Sequence, residues 1–281
     1  TTAVALAAAL GADACEINTD VEGVYTADPR IVVEARKLHA VSYEEMLELS
    51  ASGAKVLMLR SVEYARNHGV LVHVRSSFSQ EEGTWVREED ERMEQAIISG
   101  IAHDTSEAKV TIHGVPDRPG IAAKVFRPLS DDGINVDMIV QNVSEQGRTD
   151  ISFTCPKEDL GRAEPILRSI AEAVGARGVQ TDPEIAKVSL VGAGMKSHPG
   201  VAANMFEALS ELGINMEIIS TSSIRISCVV RAADVRRAVQ AIHDKFRLSE
   251  EVVLREEHPA TVTDQMRALG KAAPQQQGDH A

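Results

Sequence analysis

A stretch of twenty-one residues occurs twice in this chain, eighty positions apart, so the chain has to be read as repeated modules before anything else. Residues 119–139 read PGIAAKVFRPLSDDGINVDMI and residues 199–219 read PGVAANMFEALSELGINMEII, with 11 of the 21 positions identical and no gap. The likeness extends outward, from KVTIHGV (109–115) to KVSLVGA (187–193) and from ISFTC (151–155) to RISCVV (225–230).

Each copy also reads as one physical unit. Val110 and Ile112, like Val188 and Leu190, alternate as a half-buried strand does. A Pro-Gly turn then opens a helix with apolar residues at helical spacing: Ile121, Val125, Phe126 and Leu129, then Val201, Met205, Phe206 and Leu209. Gly133 and Gly213 stand where a helix end requires positive φ. The β-rich runs INVDMIVQNV and INMEIISTS follow, each with a partner strand and a second helix, at about 159–174 and 232–246. The pattern is βαββαβ, a ferredoxin-like α+β layer. Pro128 and Pro165 fall inside expected helices, and a kink or early end is expected at both.

The region before the repeats alternates strand and helix, which predicts α/β rather than α+β architecture. Residues 1–10 read as a helix and Ala14–Asn18 as a buried strand. Ser42-Tyr-Glu-Glu45 is a capping box opening a helix to about Ser52, closed by Gly53. A second helix is expected over 55–68, ended by Gly69, and a strand over 70–74. The resulting division is 1–80, an acidic linker at 81–108 (most charged at 87–95), repeats at 109–182 and 186–256, and a polar Pro/Gly/Gln-rich tail at 257–281 expected to be disordered.

With aromatics at 3%, the core has to be built from aliphatic residues and Met. A net charge of −13 argues against nucleic acid and against anionic membrane surfaces, both of which reward clustered Lys and Arg. Cys15, Cys155 and Cys228 are far apart with no CxxC, which suits neither a disulfide framework nor a zinc site and fits a reducing, cytoplasmic setting. No run reaches the roughly 18 apolar residues of a membrane span. The apolar opening TTAVALAAAL lacks a basic flank and an initiator Met, so it reads as a helix entered partway, and a natural start upstream is expected.

TDVEGVYTADPR (19–30), SGAKVL (52–57), LRSVEYAR (59–66) and VRSS (74–77) together resemble the nucleotide-binding end of an amino-acid kinase domain. VGAGMKSHPGVAA (191–203), the following GIN and STSSIRIS (220–227) resemble the second ACT domain of an aspartate kinase. Over nearly all of residues 1–255 the chain is similar to aspartokinases of actinobacterial type, N-terminally truncated. The resemblance implies a kinase-domain remnant followed by two ACT domains. The implied activity is transfer of the ATP γ-phosphoryl group to the β-carboxylate of L-aspartate, giving 4-phospho-L-aspartate for lysine, threonine and methionine synthesis. It implies an ATP site containing Thr19, Asp20, Tyr25, Thr26, Ala27, Asp28, Pro29, Arg30 and Lys55, with Mg2+ accompanying the nucleotide and no metal site of the protein's own. The chemistry is suitable: Thr19 and Asp20 can bond ribose and base, and the 25–30 turn offers backbone N–H groups and Arg30. Lys55, after a glycine turn at an expected helix start, can meet phosphate with its charge and with helix-end N–H groups.

The family's KxGG phosphate grip and its RGGSD aspartate motif, which precedes the segment matching Thr1, do not occur here. Phosphoryl transfer depends on positioning and charge around the γ-phosphate. The 281-residue chain alone is therefore expected to hold no catalytic residue and to show no aspartate phosphorylation; clear turnover by the purified chain would overturn that expectation.

For the repeats the resemblance implies amino-acid effectors, lysine or threonine or both, held by Asn135, Val136, Asp137 and Gln141 in the first copy. In the second it implies Val201, Ala202, Asn215, Met216, Ser222 and Ser223, with Asp117 and Gly120 as lesser candidates. The helix start after each Pro-Gly suits a carboxylate, and the strand after each GIN is expected to face it. Read from the residues alone, Asn135 and Asn215 equally serve to satisfy the backbone of a turn. His198 reads as a loop residue, and His103, His113 and His243 as structural or solvated. Pairing of ACT modules implies a homo- or hetero-oligomer. Two functions remain open: an aspartate kinase active only as a longer protein, or a non-catalytic sensing subunit of one.

Overall fold

The computed structural model describes residues 1–90, 97–142 and 146–250. The expected tail, residues 251–256 of the second repeat and part of the charged 87–95 run lie outside them.

The first region is α/β, as expected. Helices Thr2–Leu10 (α1), Tyr43–Ala51 (α2) and Leu59–His68 (α3) pack with strands Cys15–Thr19 (β1), Ala40–Ser42 (β2), Val72–Ser76 (β3) and Thr84–Arg87 (β4). The sheet runs β1-β3-β4-β2, with β1/β3 and β2/β4 parallel and β3/β4 antiparallel. The capping box forms as read: Glu45 N donates to Ser42 Oγ and Ser42 N to Glu45 Oε2. Helix α3 begins four residues later than expected, because the turn through 55–57 first buries Leu57 (8% exposed). Gly53 has φ 108°, and a Cβ there would lie 2.2 Å from the His103 carbonyl oxygen, so glycine is what lets these two backbones meet.

The first repeat is complete within itself. Strand Glu107–Pro116 (β6), helix Ile121–Asp131 (α4), strands Asp137–Gln141 (β7) and Arg148–Pro156 (β8), helix Leu160–Val174 (α5) and strand Gly178–Asp182 (β9) form the βαββαβ unit. Its sheet is antiparallel in the order β7-β8-β6-β9. Val110, Ile112, Val125, Leu129, Phe153 and Leu167 fill its core. Neither proline ends its helix. Each deprives the carbonyl four residues back of its N–H partner. Those carbonyls belong to exposed Lys124 and exposed Gly161, where water can replace the lost donor.

The second repeat draws one strand from outside its expected bounds. It supplies strands Ile185–Val191 (β10), Ile218–Thr221 (β11) and Arg225–Arg231 (β12) with helices Val201–Glu211 (α6) and Val235–Lys245 (α7). Its fourth strand is Gly100–Asp104 (β5), inside the stretch expected to be linker, and the sheet order is β11-β12-β10-β5. β5 occupies beside β10 the antiparallel edge position that β9 holds beside β6. The first module is thus an insertion between the first strand of the second module and the rest of it, and β4 also lies in the supposed linker.

The α/β region and the second module share cores. Ala27, Ile31 and Val32 pack with Ile101, Met205, Val239 and Ile242. Ala102 and Val191 in turn belong to the cluster built on Tyr43, Met46 and Val72. Burying Ile31 and Val32 alone contributes roughly 3–6 kcal/mol on transfer scales.

Candidate functional sites

The nucleotide-end residues divide into an outward and an inward set. Thr19 closes β1, its hydroxyl donates to Asp20 Oδ1 (3.1 Å), and Asp20 is exposed. Asp28 is gripped by Arg30, whose Nε and Nη2 donate to its two oxygens at 3.0 and 2.7 Å while the Arg30 N–H donates at 2.9 Å. These hydrogen bonds hold the Asp28 carboxyl below the usual carboxylate range, against the opposing pull of partial burial. The Arg30 side chain is 87% exposed, and besides Asp28 it feels the Asp20 charge. The Tyr25 hydroxyl donates to Glu22 at 3.1 Å, and burial raises its pKa. Pro29 is exposed at the turn tip.

Thr26 and Ala27 point inward, 1% and 3% exposed. Thr26 has no group to spare: its N–H donates to Arg36 O, its carbonyl accepts from Ile101 N, and its hydroxyl oxygen accepts from Arg36 N and pairs with His243 Nε2 at 3.0 Å. The Thr26 side chain is thus fully engaged within the protein, and Ala27 packs in the core shared with the second module. Lys55 is exposed in the turn before α3 rather than at a helix start, which leaves it a point charge without the helix-end N–H groups expected beside it.

The two repeats each present a helix start with glycine at the cap: Gly120 at φ 88° before α4 and Gly200 at φ 100° before α6, neither with a side-chain cap. In the first copy Gln141 lies at that end, its Nε2 donating to Asp117 Oδ1 at 3.5 Å. Exposed Asn135, half-buried Val136 and Asp137 lie at the other end of β7, roughly 15 Å away along the strand. The second copy repeats the split. Exposed Ser222 and Ser223 form the β11–β12 turn, which meets the loop before α6 through Gly192 N donating to Ile224 O (3.0 Å); Val201 and Ala202 open the helix there. Asn215 and Met216 stand at the far end, with Met216 packed against Cys228. No single copy brings all its expected residues to one face, because the strand after GIN runs away from Asn135 and toward the helix start.

Asp137 is already engaged by the other copy. Lys187, 2% exposed, donates to Asp137 Oδ2 at 3.0 Å and to Glu107 Oε1 at 2.7 Å. Burial would raise the Asp137 pKa, but the Lys187 charge and hydrogen bond outweigh it and leave the carboxyl below its ordinary range. The equivalent pair runs the other way, from Lys109 of the first copy to Glu217 of the second, and Arg231 joins Glu217 (3.1 Å) to Asp182 (2.6 Å). Met138, Val140, Ile185, Ile218 and Val229 form an apolar cluster between the copies. The modules thus meet through reciprocal contacts of matched residues.

Two residues carry contacts that sequence patterns did not reveal. Glu45, 1% exposed, uses its second oxygen to accept from Ala193 N (3.0 Å) and Ser99 Oγ, which fastens α2 to the second module. Glu48 on the same helix pairs with Arg225 at 2.8 Å. His198 is the expected loop residue, its Nδ1 bonded to Gly194 O. Among the described residues no group of three or more His, Cys, Asp and Glu is placed to hold a metal, and no helix is long and apolar enough to cross a membrane.

This arrangement, an α/β region with an open β1 end joined to two interlocked ACT-type modules, defines the class, and comparison with known proteins agrees. The amino acid kinase family model matches residues 1–76, and ACT domain models match 110–174 and 188–246. An aspartokinase of Corynebacterium efficiens is 57% identical over 252 residues, which is 88% of this chain and 60% of that protein. The regulatory subunit of aspartate kinase from Thermus thermophilus is 41% identical, with 53% of this chain covering 99% of that one at a TM-score of 0.51. Escherichia coli aspartokinase III, solved with aspartate and ADP, is 28% identical with a TM-score of 0.73, over 87% of this chain and 54% of that one. The same enzyme has been solved with lysine and aspartate (27% identity, TM-score 0.68, with the same coverage). The chain belongs to the aspartokinase family. It spans about 60% of the length of the curated relatives it matches.

Proposed function

We propose that this chain is the nucleotide-binding end and feedback arm of an aspartate kinase, which phosphorylates the β-carboxylate of L-aspartate with ATP and is regulated by lysine, threonine or both through the ACT modules. The observation that carries the reading is continuous likeness, at 57% identity, to an aspartokinase across the kinase end and both modules together. The ADP and aspartate bound by the Escherichia coli enzyme support the substrate pair, and its lysine complex supports the effector class. In this reading Thr19 and Asp20 meet ribose and base, and Arg30 and Lys55 meet phosphate, with Mg2+ carried by the nucleotide. Tyr25, Asp28 and Pro29 shape the turn that Thr26 and Ala27 anchor.

Each ACT effector site needs a helix start with its turn (Gln141, or Val201, Ala202, Ser222 and Ser223) from one module. It also needs a GIN end (Asn135, Val136 and Asp137, or Asn215 and Met216) from another. Ile139 and Ile219, matched residues of β7 and β11, remain 50% and 42% exposed, which supports pairing of these edges between chains in a homo- or hetero-oligomer. A cytoplasmic location follows from the pathway. Effector binding then acts by linkage, favouring one arrangement of the modules over another.

A thermal-shift or calorimetric titration of the chain with lysine and threonine tests the sensing role: a stabilising response to at least one is expected, and no response to either, alone or together, rejects the effector assignment. The second reading, a non-catalytic regulatory subunit, is favoured by the match to the Thermus thermophilus subunit. The kinase-family match at 1–76 speaks against it, since a pure sensor has no use for Lys55 or Arg30. A coding sequence upstream of Thr1 carrying RGGSD and KxGG decides for the enzyme; a start codon beside Thr1 decides for the subunit.

A further inference from the structure

Helix α7 of the second module presents three side chains on one stripe to the nucleotide turn. Arg236, Gln240 and His243 are spaced i, i+4 and i+7, which puts them on one face of a helix. Arg236 Nη1 donates to Arg30 O (2.9 Å), Gln240 Nε2 donates to Ile31 O (3.0 Å), and His243 Nε2 pairs with Thr26 Oγ1 (3.0 Å). All three contacts fall on the single segment that contains Tyr25–Arg30. His243 is fully buried, and its Nδ1 is without a hydrogen-bond partner, so the Thr26 bond is what its polar edge is used for. Burial lowers its pKa, so the imidazole is held neutral and its bond to Thr26 is one between uncharged partners. Helix α7 in turn packs in one core with α6, the helix opened by Gly200 and Val201.

We infer that Arg236, Gln240 and His243 of α7 are positioning residues for the nucleotide turn, with Thr26 as the anchor through which the second ACT module sets the geometry of Asp28 and Arg30. The inference rests on the nucleotide-site reading above. It makes the ATP site and the second module one mechanical unit: a shift of α6 at its Pro-Gly start moves α7, and α7 moves the turn.

The test is hydrogen exchange and ATP·Mg2+ titration on the purified chain carrying His243→Leu, His243→Gln, Gln240→Ala, Arg236→Ala or Lys55→Ala. His243→Leu removes the bond at similar volume, and His243→Gln offers an amide at the reach of Nε2. With one net hydrogen bond worth about a kcal/mol, His243→Leu should weaken ATP about fivefold and speed amide exchange at Thr26 and Ile31. His243→Gln should restore most of both, a rescue that general loss of packing would not allow. Should His243→Leu fold poorly, Gln240→Ala and Arg236→Ala, which remove side chains from the surface of α7, should still loosen the turn and weaken ATP. If Lys55→Ala weakens ATP while the three α7 variants bind it as the parent does, the inference fails alone. If Lys55→Ala changes nothing, the nucleotide reading falls and takes the inference with it; unchanged amide exchange at Thr26 and Ile31 in all three α7 variants overturns the inference whether or not the chain binds ATP.

Discussion

Glu45→Ala should lower stability by roughly 3–5 kcal/mol, far more than a helix substitution at a capping position would cost. Loss of a cap interaction costs about 1 kcal/mol. Glu45 does more than cap, because its oxygens also accept from Ala193 N and Ser99 Oγ in a place closed to water. Alanine strands those donors together with Ser42 N, and each stranded buried group costs about 1–3 kcal/mol. Glu45→Gln keeps one acceptor but turns an amide N–H toward a donor, so an intermediate loss is expected. Glu44→Ala, on the same helix, removes only the exposed 4.0 Å pair with Arg66 and should cost under about 0.5 kcal/mol. Urea unfolding of the three variants decides: a Glu45→Ala loss no larger than that of Glu44→Ala would mean the link between α2 and the second module carries no energy.

Lys187→Ala is the second substitution with a large expected effect, again roughly 3–5 kcal/mol, since removing one member of a buried ionic group leaves its partners uncompensated. Glu107, with 13% of its side chain exposed, bears most of that cost; Asp137, at 42%, is reached by water and contributes less. The pH dependence follows from the two shifts. Asp137 is depressed when folded, so its contribution is present above its unfolded pKa of about 3.9 and disappears as pH falls through the lower folded value. The Lys187 pKa is raised: burial lowers it, but Glu107 and Asp137 overcome that. Its contribution is present below about 10.4 and lost as pH rises through the folded value. The parent-minus-variant difference should therefore be flat from about pH 4 to pH 10 and shrink outside that window. Equal stability of Lys187→Ala and parent at pH 7 would show that the reciprocal pairs between modules are incidental.

Most local signals in the sequence hold and distant ones do not, although the helix start at 55 and the proline helix ends are local signals that fail. The repeat, the Ser42 capping box and the glycine helix ends could all be read directly, because each depends on residues within a few positions of one another. Strand β5 falls within the expected linker because GIAHD is short and acquires its partner, β10, more than eighty residues later; nothing nearby marks it. Thr26 and Ala27 look like members of the nucleotide turn by family pattern, yet their inward orientation is set by α7, more than two hundred residues away. Glu45 was recognised for its cap and not for its link to Ala193, since a pattern sees one carboxyl oxygen and the fold uses both. Asn135 and Gln141 do not share one surface, because an extended strand separates its two ends.

The early position of β5 also has a consequence for how the molecule comes into being. During synthesis the edge of this strand emerges before the whole first module and cannot be paired until β10 has followed it. The inserted module can therefore close on itself while the module around it still waits for its partners. Lys187 lies opposite Asp104 in the β10–β5 register, so the two ends of the insertion leave and rejoin the sheet as neighbours.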